Sequence, residues 1–118
     1  MFRIKRVYAP PDQKDGLRIL VDGLWPRGLS KDAAAVDAWF KDIAPSRELR
    51  QWFDHDAERW AEFKKRYRHE LKAPARASAL GLLRQKGREQ GTVTLLFAAR
   101  DETHNHAMVL HELLRRRP

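Results

Sequence analysis

The sequence predicts an α/β fold, with a small mixed or mostly parallel sheet of about three to four strands covered by four to five helices. Three observations point there. Phe2–Tyr8 alternates apolar and charged residues, the period of a strand. Val93–Phe97 is an unbroken run, which marks a strand buried on both faces beneath helices. Between them, apolar residues recur at helical spacing, set off by Ser, Asp and Pro at the expected boundaries.

In the first strand, Phe2, Ile4 and Tyr8 fall on one side and Lys5 and Val7 on the other. Ala9–Gly16 is rich in turn formers. Leu17–Asp22 is a compact apolar run ending in an acid and reads as a second strand. The intervening loop is too short for a helical crossover, so the two strands form a hairpin or sit apart in a mixed sheet. Ser30 suits a helix N-cap, and Val36, Trp39, Phe40 and Ile43 then form one stripe at i, i+3, i+4 and i+7. That spacing predicts a helix stopped by Pro45.

Ser46 caps a short helix burying Leu49, Trp52 and Phe53. Asp56 caps a third, with Trp60, Phe63, Tyr67 and Leu71 inward and Lys65, Arg68 and Lys72 outward; Pro74 ends it. Ala75–Gln90 is a fourth helix, with Ala79, Leu80 and Leu83 toward the core and Gly91 suited to its left-handed C-terminal position. Thr92–Ala99 is the buried strand. Asp101–Thr103 turns into a last helix, roughly His104–Arg116, with Ala107, Leu110 and Leu114 inward. Trp25, Trp39, Trp52 and Trp60 supply large buried area to a short chain.

A length of 118 residues corresponds to one domain, and 42% apolar content excludes a disordered tail. No apolar run approaches the roughly 20 residues of a membrane span. With no cysteine, disulfides, thiolate metal sites and Cys nucleophiles are excluded. The start, Met1-Phe2-Arg3-Ile4-Lys5-Arg6, lacks the form of a signal peptide, so a cytoplasmic location is expected. The net charge of +8 is uneven: residues 1–59 contribute +1 and residues 60–118 contribute +7. Such a field attracts phosphates, nucleic acid and acidic small molecules alike, and it also serves solubility.

In open α/β sheets ligands bind at the carboxyl ends of the strands. Asp22–Gly28 follows the second strand. There Asp22 can orient a base or hydroxyl, Trp25 can wall a pocket, and Arg27, between Pro26 and Gly28, suits bidentate anion binding. Arg100–His106 follows the buried strand. Its Arg100 adds a cation, Asp101 and Asn105 add polar groups, and His104 and His106 can exchange protons near neutrality. Around the third capping site, Arg50, Trp52 and His55 can form one wall, with Lys41 nearby. Each set has a bland counterpart: an Asp–Arg pair pinning a loop, Asn105 or Thr103 capping a helix, Trp52 in the core and Asp56 as a cap.

His104, His106 and Asp101 lack a metal-ligand spacing, so no metal is expected. No Walker loop, GxGxxG or GxSxG is present, and no cofactor is indicated. Lys65, Arg68 and Lys72, with Arg115, Arg116 and Arg117, can contact nucleic-acid phosphates, or simply be solvated and complement a helix dipole.

Arg6-Val7-Tyr8, Leu20-Val21-Asp22 and Leu24-Trp25-Pro26-Arg27-Gly28-Leu29-Ser30-Lys31 resemble the opening of the YeaO-like proteins, a bacterial family of unknown function. The resemblance continues through Ile43-Ala44-Pro45-Ser46, Glu48-Leu49-Arg50, Trp52-Phe53, His55-Asp56, Ala98-Ala99-Arg100-Asp101 and Asn105-His106-Ala107. It implies a bacterial, cytoplasmic α/β protein and no particular reaction. A winged-helix regulator label, sometimes given to members, disagrees with the strand content. The family pattern carries an arginine where this chain has Gly23.

The residues together suggest an anionic small molecule, such as a nucleotide, held by Arg27 and Arg100 in a polar pocket. Asp22, His106 and His55 would be the candidates for proton transfer, and Arg50, Lys41, Trp25, Asp101 and Asn105 would line it. A nucleic-acid-associated protein and a ligand-free interaction module are the alternatives. Neither enzymatic activity nor oligomeric state is legible.

Overall fold

The computed structural model describes residues 1–116. One four-stranded sheet runs in the order β1–β4–β2–β3, from β1 (Phe2–Arg6), β2 (Leu17–Leu20), β3 (Ala38–Trp39) and β4 (Val93–Phe97). Every pairing is parallel, so the sheet is not mixed. Five α-helices accompany it: α1 (Lys31–Ala34), α2 (Arg47–Phe53), α3 (Trp60–Glu70), α4 (Pro74–Gln90) and α5 (His106–Arg115). None is long and apolar enough to cross a membrane.

Strand register sorts the side chains onto two faces. Ile4, Leu95, Ile19 and Ala38 form one row across the sheet. This face packs beneath the apolar stripes of α2 through α5, including Phe53, Phe63, Tyr67, Leu83 and Leu110. The next row, Lys5, Leu96, Leu20 and Trp39, points the other way. Only loops and α1 cover that face, through a small cluster of Val7, Leu20, Ala34 and Leu96 with Trp25 and Trp39. β4 is buried along its whole length, as a central strand between two covered faces must be.

β1 and β2 are separated by β4, so the turn-rich loop is neither a hairpin nor a helical crossover. It crosses the thin face through a single 3₁₀ turn, Gln13–Asp15. Asp12 and Asp15 cap that turn reciprocally. The crossing is stapled by charge. Asp15 and Arg18, each 4% exposed, pair with one another, and Lys5 Nζ lies 3.1 Å from the same carboxylate. Arg18 also donates to the carbonyls of Ala34 and Ala35 at 2.8 and 3.0 Å. Thr94 Oγ1 donates to the Asp15 carbonyl at 2.6 Å.

The helix expected after Ser30 is overturned. Ser30 does cap α1, but α1 ends after four residues, at an Ala35 in the left-handed region (φ 49°). The stripe residues then divide between β3 and a 3₁₀ turn at Lys41–Ile43. The physical reason is the open edge of β2. Asp37 N donates to Arg18 O and Phe40 N to Leu20 O, both at 2.8 Å, pairings a helix would forfeit. Extended geometry also sends Trp39 and Phe40 to opposite faces, each into an apolar cluster.

Elsewhere the boundaries hold with small changes. Ser46 caps α2, and Asp56 caps the 3₁₀ turn leading into α3. Pro74 stands at the start of α4 instead of closing α3, where its missing N–H costs nothing. The last helix begins at His106, since Asn105 is its cap. Gly91 has positive φ (79°), as expected for a glycine stop, though its ψ of −59° lies outside the left-handed helical well.

Candidate polar shelf at the strand ends

The carboxyl ends of β2, β4 and β3 open onto the segments that follow them. Asp22, just past β2, ties them together. Its Oδ2 accepts from Ala98 N, just past β4, at 3.0 Å. Its carbonyl accepts from Trp39 Nε1 in β3 at 2.7 Å. Its Oδ1 lies 3.2 Å from His106 Nε2 at the start of α5. His106 Nε2 also lies 3.0 Å from the Val21 carbonyl. A carbonyl can only accept, so that nitrogen carries the proton. Both side chains are largely buried, 17% and 13% exposed. Asp22 Oδ1 is enclosed without a hydrogen-bond partner.

Next to this brace is an aromatic and cationic shelf. Trp25 meets Trp39 edge to face, with ring centroids 5.5 Å apart, and donates to the Leu29 carbonyl at 2.7 Å. Lys41 Nζ lies 4.5 Å from the centre of the Trp39 ring. Arg50 reaches over from α2. Its Cζ lies 3.8 Å from where a side-chain carbon at Gly23 would be. Among the described residues, the Arg50 guanidinium makes no hydrogen bond.

The segment after β4 is self-contained. Asp101 Oδ1 accepts from the backbone of Thr103 and His104, each at 2.9 Å. His104 Nδ1 lies 2.9 Å from Asp101 Oδ2. The Thr103 N–H, then the His104 side chain, hold the Asp101 carboxyl far below the usual carboxylate range. Asn105, 3% exposed, accepts from Met108 N and donates to the Asp101 carbonyl. His104 packs edge-on to Trp60, centroids 5.4 Å apart.

The fold thus brings Asp22, His106, Trp25, Lys41 and Arg50 into one neighbourhood, with Asp101 and Asn105 on the adjoining turn. Arg27 and Arg100 are exposed on flanking loops, with no side-chain hydrogen bond among the described residues. His55 is exposed in the α2–α3 turn at φ 55°, with no hydrogen bond or ring contact to the brace among the described residues.

Three participants escape sequence reasoning. Trp39 reads as part of a helical stripe. Tyr67 reads as core, yet its ring stands 6.1 Å from His106 and its hydroxyl donates to the Ile43 carbonyl at 2.6 Å. Arg6 donates to the carbonyls of Ala99 and Ala98 at 3.0 and 3.1 Å. Its strand position is visible in sequence; its reach to the end of β4 is not.

The proposed nucleic-acid residues divide between two grooves. Lys65, Arg68 and Lys72 line one of about 810 Å³ between α2 and α3, interleaved with Glu48, Glu62 and Glu70. Arg68 is further committed to Glu112 at 2.9 Å. Arg115 and Arg116 line a different groove beside β1. Arg117 lies outside the described residues.

Comparison with known proteins places the chain in a family. Residues 1–117 match the family model DUF488-N3i, described as the inactive DUF488-N3 subclade. The chain is 46% identical over 112 residues to uncharacterized protein Rv3073c of Mycobacterium tuberculosis (strain ATCC 25618 / H37Rv), covering 95% of this chain and 92% of that one. Uncharacterized protein Mb3100c of Mycobacterium bovis matches to the same extent, 46% over 112 residues, 95% and 92% covered. Uncharacterized protein YeaO of Escherichia coli (strain K12) is 44% identical over 111 residues, 94% of each chain. No solved structure matches. On its whole-length match and these identities, the chain belongs to the DUF488-N3i family, the YeaO-like subclade described as inactive.

Proposed function

We propose that this protein binds an anionic small molecule at the shelf formed by the ends of β2 and β3, and does not transform it. The observation that carries the reading is the Arg50 guanidinium. It lies against Gly23 with no hydrogen-bond partner among the described residues, while a Lys41 ammonium is held over Trp39, whose indole N–H bonds the carbonyl of Asp22 next to Gly23. An unengaged planar fork suits a carboxylate or phosphate, and an ammonium on the same shelf adds charge. Arg27 and Arg100 on the flanking loops add to the attraction. The YeaO-like pattern has a second arginine at position 23, so this chain would offer one guanidinium there instead of two.

The reading of no chemical step is supported by the confinement of Asp22 and His106. Asp22 Oδ2 and His106 Nε2 are engaged with Ala98 N and the Val21 carbonyl, and the Asp22 oxygen left without a hydrogen bond, Oδ1, is closed to solvent beside His106, out of reach of a proton on a shelf ligand. The family description as inactive agrees with this reading.

Thermal denaturation against a panel of inorganic phosphate, nucleoside mono- and diphosphates and dicarboxylates tests it. A ligand at 100 times its Kd stabilises by about 2.7 kcal/mol. Arg50→Ala and Lys41→Ala should each abolish the shift while leaving the unliganded stability within about 0.5 kcal/mol. An undiminished shift in Arg50→Ala defeats the assignment of the site. Turnover of the bound ligand by the unaltered protein defeats the non-catalytic part.

A further inference from the structure

We propose that the cleft between the C-terminal halves of α4 and α5 binds the phosphates of a single-stranded nucleic acid. It lies at the start of β1, so it is separate from the shelf at the strand ends and stands or falls independently of it. The cleft encloses about 670 Å³, and its walls carry Arg84 and Arg88 from α4 facing Arg115 and Arg116 at the end of α5. No acidic side chain lines it among the described residues. Four guanidiniums around one hollow repel each other, and a bound polyanion relieves that repulsion.

Their local bonds leave most of this charge available. Arg84 donates once, to the Leu113 carbonyl at 3.3 Å, and its Nε is enclosed without a hydrogen-bond partner. Arg116 lies 3.9 Å from Glu112, a carboxylate already engaged by Arg68. Arg88 and Arg115 are exposed, with no ion pair among the described residues. The contrast is with the α2–α3 groove, where three glutamates interleave with the cations.

Shape selects the strand over the duplex. Reading a duplex takes an element that protrudes into a groove, whereas this surface is concave. The Phe2 ring, partly buried against the main core, leaves one part of its surface to the cleft wall beside Gly87, where a side-chain carbon would come within 2.5 Å of Phe2 Cζ. Charged walls around an aromatic ring are the pairing that tracks a backbone and stacks a base. Arg84 and Arg88, one helical turn apart at a rise of about 6 Å, are spaced for separate phosphates.

The experiment is fluorescence anisotropy of a labelled single-stranded oligonucleotide of about 16 nucleotides, over a range of salt concentrations. Four neutralised phosphates give a slope of log K against log salt near −3, at about 0.7 per phosphate. Arg88→Gln combined with Arg115→Gln, both exposed positions, should cost about tenfold or more in affinity and roughly halve the slope, with the urea midpoint little changed. Lys65→Ala with Lys72→Ala should stay within about twofold. No binding at low salt would overturn the proposal, as would an equal loss in the Lys65/Lys72 variant or tighter binding of a duplex. Displacement by a free nucleoside triphosphate at matched phosphate concentration would also overturn it, in favour of a small-molecule site.

Discussion

His106 closes onto Asp22: Nε2 of the imidazole lies 3.2 Å from the carboxylate Oδ1, across 84 residues of chain. That closure fastens the start of α5 to the end of β2, and Oδ2 of the same carboxylate fastens the end of β4.

Removing the carboxylate should therefore destabilise the fold. Asp22→Ala leaves the half-buried Ala98 N–H without its acceptor, at a cost of about 1–3 kcal/mol. Asp22→Asn, which keeps an oxygen acceptor, should recover part of this. Urea denaturation of the two variants checks it; an Asp22→Ala midpoint equal to that of the parent would deny the brace its structural role.

Asp15 should govern acid stability. Burial works against its charge, but the Asp12 N–H and the Lys5 and Arg18 side chains outweigh burial and hold its pKa below the usual range. A depressed folded pKa stabilises above the unfolded value of about 3.9, and that stabilisation is lost as pH falls through the folded value. Asp15→Asn should flatten the acid limb of a stability–pH curve below about pH 4. At neutral pH it should cost about 3–5 kcal/mol, because Arg18 is left buried with an unmatched charge.

Tyr67 sets the alkaline side. Burial pushes its phenol pKa well up, so its phenolate should appear only as the protein unfolds. A raised folded pKa stabilises below the unfolded value of about 10 and is lost above it. Tyr67→Phe gives up the bond to Ile43 O, and should remove this contribution from the alkaline limb followed by absorbance and circular dichroism together.

Two glycines should respond oppositely to alanine. Gly16 sits at φ 63° with its open side against the Thr92 carbonyl, so Gly16→Ala should destabilise by about 2 kcal/mol or more. Gly81 lies in α4 with open space around it, and Gly81→Ala should stabilise by about 0.5–1 kcal/mol. Thermal melts of the pair test both signs.

Much of the architecture is legible along the chain because it depends on local chemistry. Ser46 and Asp56 cap where a short oxygen acceptor meets orphan N–H groups, and Val93–Phe97 is apolar but for Thr94 because both its sides are covered. The stretch from Val36 to Ile43 has a spacing that fits a helix in isolation, while the deciding partner, the edge of β2, lies about twenty residues away. The candidate shelf divides the same way. Asp22, Lys41, Arg50 and His106 are visible as chemically capable residues, but what each one touches is not.

Composition and spacing were enough to establish an α/β chain of this size, the existence and rough extent of its helices from Ser46 onward, its buried strand and its positive second half. They depend on each residue's intrinsic preferences and near neighbours. Strand order, the reach of Arg18 to the Ala34 and Ala35 carbonyls, and the closure of His106 onto Asp22 were decided only in three dimensions. Each is a pairing between distant segments, where a polar group's role is set by which partner satisfies it once water is excluded.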